Sequence, residues 1–93
     1  MSKKKNLHIY LSGKVQGVGF RAFIRQNAKN LSLKGWAKNL SDGRVEVVLS
    51  GTKSKLDKIL ELLEEGPRFA RVHNIEVEEK EYQDKYSNFK IKY

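Results

Sequence analysis

Ninety-three residues carry nineteen Lys and Arg against eleven Asp and Glu, for a net charge of +8, and there is no cysteine. That length supports one core and one domain, and the lack of thiols rules out disulfides, thiolate nucleophiles and cysteine-ligated zinc or iron–sulfur centres. No run approaches the roughly 18 apolar residues of a membrane span, and Leu7–Leu11, behind the basic Met1–Lys5, is too short and too polar for a signal-peptide core; the expectation is a cytoplasmic, monomeric single domain over 1–93, with 1–6 as a basic, flexible tail.

Leu7, Ile9 and Leu11 alternate with His8, Tyr10 and Ser12, which predicts a half-buried first strand. The glycine-rich turn Gly13-Lys14-Val15-Gln16-Gly17-Val18-Gly19 follows. Phe20, Phe23, Ile24, Ala28 and Leu31 then recur at the spacing of one helix face. Leu33 to Leu40 reads as a second strand with Trp36 and Ala37, and Ser41-Asp42-Gly43 as a tight turn in which glycine supplies the positive φ. Val45, Val47 and Leu49 alternate in a third strand. Ser54 with Asp57 three residues on predicts a capping box for a second helix, whose buried stripe is Leu56, Ile59, Leu60 and Leu63 and whose stop is Gly66-Pro67. Val72 to Glu79 predicts a fourth strand with Ile75 and Val77 on one face, and Phe89, Ile91 and Tyr93 a short fifth. The aromatic side chains of Phe20, Phe23 and Trp36 are assigned to the core.

The order β-α-β-β-α-β, with a strand appended, is that of the ferredoxin-like split βαβ sandwich, an α+β fold. Right-handed crossovers put the first and third strands in the middle of an antiparallel sheet, with both helices on one face. Charge is unevenly distributed. Met1 to Arg44 holds ten basic residues and one acidic, Val45 to Tyr93 nine basic and ten acidic. An anionic partner near the first half is expected; nucleic acid, a membrane surface and a small phosphorylated substrate all meet that description.

The segment Gly13 to Arg21 narrows the choice. Three glycines in seven residues allow backbone N–H groups to turn inward as an anion nest. The helix that follows adds its own unpaired N–H groups, and Arg21 in its first turn offers a planar fork of donors. Together these make a phosphate seat, although glycine-rich turns also merely reverse a chain. It is not a Walker loop, since no Gly-Lys-Ser/Thr follows at the required spacing.

Here GKVQGVGFR (Gly13 to Arg21) resembles the signature of the acylphosphatases, and GWAKNLSDG (Gly35 to Gly43) resembles their second signature. The similarity in layout runs from about Leu7 to Tyr93, and the family's fold is the sandwich derived above. The resemblance implies hydrolysis of small acyl phosphates to carboxylate and phosphate, without metal or cofactor. It further implies that Arg21 binds the phosphate, that Asn39 positions the water, and that the cradle amides come from Val15, Gln16, Gly17, Val18, Gly19 and Phe20. The partners expected are the acyl phosphate and inorganic phosphate, with no nucleic acid and no membrane.

The topology supports that pairing independently: the first two strands run parallel, so Asn39 at the end of the second shares a rim with the loop after the first. His8 and His73 have no acidic partner at ligand spacing and read as strand surface residues. Glu76, Glu78, Glu79 and Glu81 read as a solvated strand face, because alternating side chains diverge from any single ion. The competing reading is an RNA-binding module of the same fold. Tyr10 on an open strand favours it, but Arg44-Val45-Glu46-Val47-Val48 stands where the third strand would carry the aromatic RNP pattern.

Overall fold

In the computed structural model, which describes residues 3–93, chain alternation becomes a two-layer sandwich. Strand β1 (Lys4–Lys14) lies between β3 (Val45–Thr52) and β4 (Arg71–Glu81), and β2 (Lys34–Asn39) between β3 and β5 (Phe89–Lys92). The order β4-β1-β3-β2-β5 puts β1 and β3 in the interior, as expected. Leu7, Ile9 and Leu11 sit opposite Leu49, Val47 and Val45, so the period-2 pattern of both strands is turned to one face. Helix α1 (Phe20–Asn30) covers that face with Phe20, Ile24 and Ala28, and α2 (Lys53–Glu65) with Leu56, Ile59 and Leu63. All of these side chains are buried, each worth about 1.5–3 kcal/mol for a large aliphatic or aromatic group. Ile75 and Val77 of β4 face the same way, opposite Leu11 and Ile9. No described helix is long and apolar enough to cross a membrane.

Four expectations are corrected. The sheet is mixed rather than antiparallel, because β5 runs parallel to β2, with Gly35 opposite Phe89 and Ala37 opposite Ile91; alternation of Phe89 and Ile91 looks the same in either direction. Residues 4–6, expected in the tail, extend β1, with Lys4, Lys5 and Asn6 opposite Thr52, Gly51 and Ser50. Lysines at the end of a ladder pair through their backbone and leave no apolar signal. Residues 1 and 2 of that tail lie outside the described residues. The Ser54 capping box does not form: α2 begins two residues earlier than that cap implies, its N-cap is Thr52, and no side chain caps it. Instead the Lys53 amide donates to the Lys3 carbonyl at 2.7 Å, and Asp57 pairs with Lys53 at 3.6 Å. Trp36 lies on the uncovered face of the sheet rather than in the core, with the Lys92 ammonium 4.3 Å from its ring centre.

The uncovered face carries its own polar cluster. His8 and Glu46 share a 2.6 Å hydrogen bond, and the Tyr10 hydroxyl donates to Glu46 at 3.2 Å. Tyr10 stacks on His8 at 5.0 Å, with the Arg44 guanidinium 4.7 Å from its ring centre. Desolvation, then Glu46 beside it, pushes the Tyr10 phenol above its usual range.

Candidate active site

The loop from Val15 to Gly19 leaves β1 and turns directly into α1. Gly17 and Gly19 both have φ of 73°. A Cβ at either position would meet open space, so it is the left-handed backbone, not crowding, that calls for glycine. Left-handed residues set between ordinary ones turn successive N–H groups to one side, the geometry of an anion nest. Gly19 is also the N-cap of α1, with no side-chain cap and no acidic residue in the first turn. Among the described residues, none of the amides from Gln16 to Ala22 donates to a protein acceptor. An uninterrupted run of free donors at a helix start is rare, because such groups are normally capped.

Gly17, Gly19, Phe20, Arg21 and Ala22 of this run border a pocket of about 290 Å³. Val15, Gly17, Gly19 and Phe20 of the predicted cradle line it together with Arg21 and Asn39. The loop after β1 and the end of β2 therefore meet on one rim, as the parallel relation of those strands requires. Gln16 and Val18 do not line it. Val18 packs against the core, and the Gln16 side chain crosses to the β2–β3 turn, donating from Nε2 to the Leu40 carbonyl at 2.7 Å and to the Arg44 carbonyl at 2.9 Å. That carboxamide fastens the cradle to the hairpin that carries Asn39. The hairpin is tightened from its other side by Asp42, which accepts from the Arg44 amide at 3.1 Å and from Arg44 Nε at 2.8 Å. The Arg44 backbone N–H, then its guanidinium, hold the Asp42 carboxyl below the usual range.

Arg21 reaches across the pocket to β5. Its Nη1 donates to the Lys92 carbonyl at 3.2 Å and its guanidinium lies 4.9 Å from the Tyr93 ring centre. No carboxylate of a described residue forms an ion pair with it. The Asn39 Oδ1 is shut away from solvent and accepts no hydrogen bond, a state that costs about 1–3 kcal/mol for a neutral acceptor. Three residues of the site escaped sequence reasoning: the Gln16 side chain, Arg25 and Tyr93, the latter two lining the pocket. Arg25 alone left a signal, its position four residues after Arg21 on the same helix.

A sequence model of the Acylphosphatase family matches residues 7–91. An acylphosphatase of Archaeoglobus fulgidus is 46% identical over 87 residues, covering 94% of this chain and 97% of the relative. One from Pseudomonas paraeruginosa is 51% identical over 72 residues, covering 77% and 79%. The crystal structure of acylphosphatase from Bacillus subtilis superimposes with a TM-score of 0.93 at 37% identity, over 96% of this chain and 99% of that one. A match of this extent, in a chain whose two signature segments meet at one pocket, makes the protein a member of the acylphosphatase family and a hydrolase of acyl phosphates.

Proposed function

We propose that the chain cleaves the carboxyl–phosphate anhydride by in-line attack of water on phosphorus, with the phosphoryl group seated on the amides from Val15 to Phe20 and on Arg21. The observation that carries this reading is the run of unpartnered amides at the start of α1 beside a guanidinium that has no acidic partner. Backbone donors and the helix dipole converge there on negative charge. Arg21 adds two parallel charge-assisted bonds once its fork leaves the Lys92 carbonyl for the phosphoryl oxygens.

The leaving group is a carboxylate, already a stable anion, so no general acid is required. What remains is to neutralise charge on the equatorial oxygens and to aim the nucleophile. Asn39 serves the second need. Its amide has an acceptor and two donors but no charge to repel the phosphate. Its buried oxygen, unsatisfied as it stands, gains a partner when the carboxamide turns toward a water in the pocket. The water oxygen bonds to phosphorus as the bond from phosphorus to the bridging oxygen breaks. That electron pair leaves on the carboxylate, and the water's proton passes to a phosphoryl oxygen, giving carboxylate and dihydrogen phosphate.

The uncovered sheet face also favours the hydrolase over an RNA-stacking module. Tyr10 is held between His8 and Arg44 and hydrogen-bonded to Glu46, while Glu76 and Glu78 stand opposite Tyr10 and His8 in the neighbouring strand. Tyr10 is therefore no free stacking platform, and Glu46, Glu76 and Glu78 around it and His8 disfavour a phosphate backbone there.

Hydrolysis of benzoyl phosphate in ¹⁸O-water tests the assignment. Label is expected in phosphate and not in benzoate. Label in the carboxylate would mean attack at carbon and would remove the phosphoryl seat from the mechanism.

A further inference from the structure

One charged group of the pocket has no part in the scheme above. Arg25 lines the same pocket as Arg21 and Asn39, four residues and therefore about 6 Å further along α1. Side chains at that separation lie on one helix face, and two like charges there oppose helix formation. Neither guanidinium is relieved by a carboxylate of a described residue, and no Asp or Glu lines the pocket. The rest of the pocket lining is of a different character. Ala22, Ile91 and the Tyr93 ring contribute to it, a largely apolar strip. One pocket thus brings together the candidate phosphate seat, an apolar surface and a second cation.

We propose that Arg25 is a specificity-determining residue that selects acyl phosphates whose acyl part carries a second oxyanion, carboxylate or phosphate, about 6–8 Å from the phosphoryl group. The proposal rests on the hydrolase reading above and deepens it. The acyl chain or ring of such a substrate spans Ala22, Ile91 and Tyr93 while its distal anion takes the Arg25 fork in the paired geometry that guanidinium offers to carboxylate and phosphate. This accounts for a second uncompensated cation where the phosphoryl group already has Arg21.

The experiment compares kcat/KM for 4-carboxybenzoyl phosphate and 4-phosphonobenzoyl phosphate, each relative to unsubstituted benzoyl phosphate, in the wild-type chain, Arg25→Gln and Arg25→Lys. Taking each variant's ratio against the wild-type ratio cancels the intrinsic reactivity of the three anhydrides. In Arg25→Gln at least one of the two ratios should fall by about 10–100-fold, the size of one charge-assisted hydrogen bond. Arg25→Lys should recover part of that loss, and 0.5 M KCl should diminish the wild-type preference. A parallel loss on all three substrates, or no change in either ratio, overturns the assignment of Arg25. Failure of the wild-type chain to hydrolyse any of the three would instead overturn the hydrolase reading on which it rests.

Discussion

Replacing Arg21 by Lys separates the role of charge from that of geometry. The structural cost can be worked out from the contacts Arg21 makes. It has one exposed hydrogen bond to the Lys92 carbonyl and one cation–π contact with Tyr93, whose side is open to solvent. Each is worth about 0.5–1 kcal/mol at such a site, and Lys retains part of both, so the loss of stability should stay below about 1–2 kcal/mol. For a domain of this size that lowers Tm by about 4–16 °C at most. The catalytic cost is larger. An ammonium is a point charge and cannot hold two phosphoryl oxygens in a fixed plane. Losing one charge-assisted bond, about 1.5–3 kcal/mol, together with a misplacement near 1 Å, about 10² in rate, gives a drop in kcat/KM of about 10³–10⁴. The assay is loss of benzoyl phosphate absorbance, with a circular dichroism melt on the same samples. A folded Lys variant that turns over within tenfold of wild type would refute the bidentate role.

Removing the carboxamide of Asn39 in Asn39→Ala should reduce kcat by about 10²–10³ without weakening inhibition by inorganic phosphate; since Oδ1 is unsatisfied in the folded chain, Tm should fall by no more than a few degrees, and a large drop would show a structural role. Gln16→Leu deletes two hydrogen bonds of about 0.5–1.5 kcal/mol each, which predicts a Tm lowered by at least about 5 °C and a kcat lowered more than tenfold at nearly constant KM, because the hairpin is no longer fastened to the cradle; a melt and a Michaelis curve at wild-type levels would contradict that. The Asp42 carboxyl, depressed first by the Arg44 backbone N–H, should titrate in a ¹³C NMR series at a pH below the ordinary Asp value. Its support of the β2–β3 turn is then present in full above the unfolded-state pKa and disappears as the pH falls through the lower folded-state pKa. A midpoint at or above the ordinary value would contradict that contact.

Much of the fold was legible because burial on one face writes a period into the chain. Leu7-Ile9-Leu11 against Val45-Val47-Leu49 is such a period, and it set the two inner strands and their facing. The cradle was legible because left-handed backbone selects glycine, at positions 17 and 19. What the sequence did not carry was interaction through backbone. The Lys53 amide is capped by a main-chain carbonyl, which any residue at position 3 supplies, so Ser54 looked like the better cap. The direction of β5 leaves no mark in Phe89 and Ile91. Trp36 was misassigned because a large amphipathic ring suits an exposed sheet face under a lysine as well as it suits a core. In the pocket, Arg21 and Asn39 fell within the two signature segments. Arg25 is signalled only by its spacing from Arg21, and Tyr93 came into the pocket through tertiary packing of α1 beside β5.

In the proposed scheme most of the anion seat is main chain, and this separates two properties that enzymes with charged side-chain clamps lose together. On that scheme a substitution of Asn39 removes the aim of the water while the amides around Gly17 and Gly19, with Arg21, still hold inorganic phosphate. A descendant that drifted at position 39 alone would, on that scheme, remain a receptor for the reaction's product, so a protein that senses phosphate without consuming its precursor lies within reach of a single codon change.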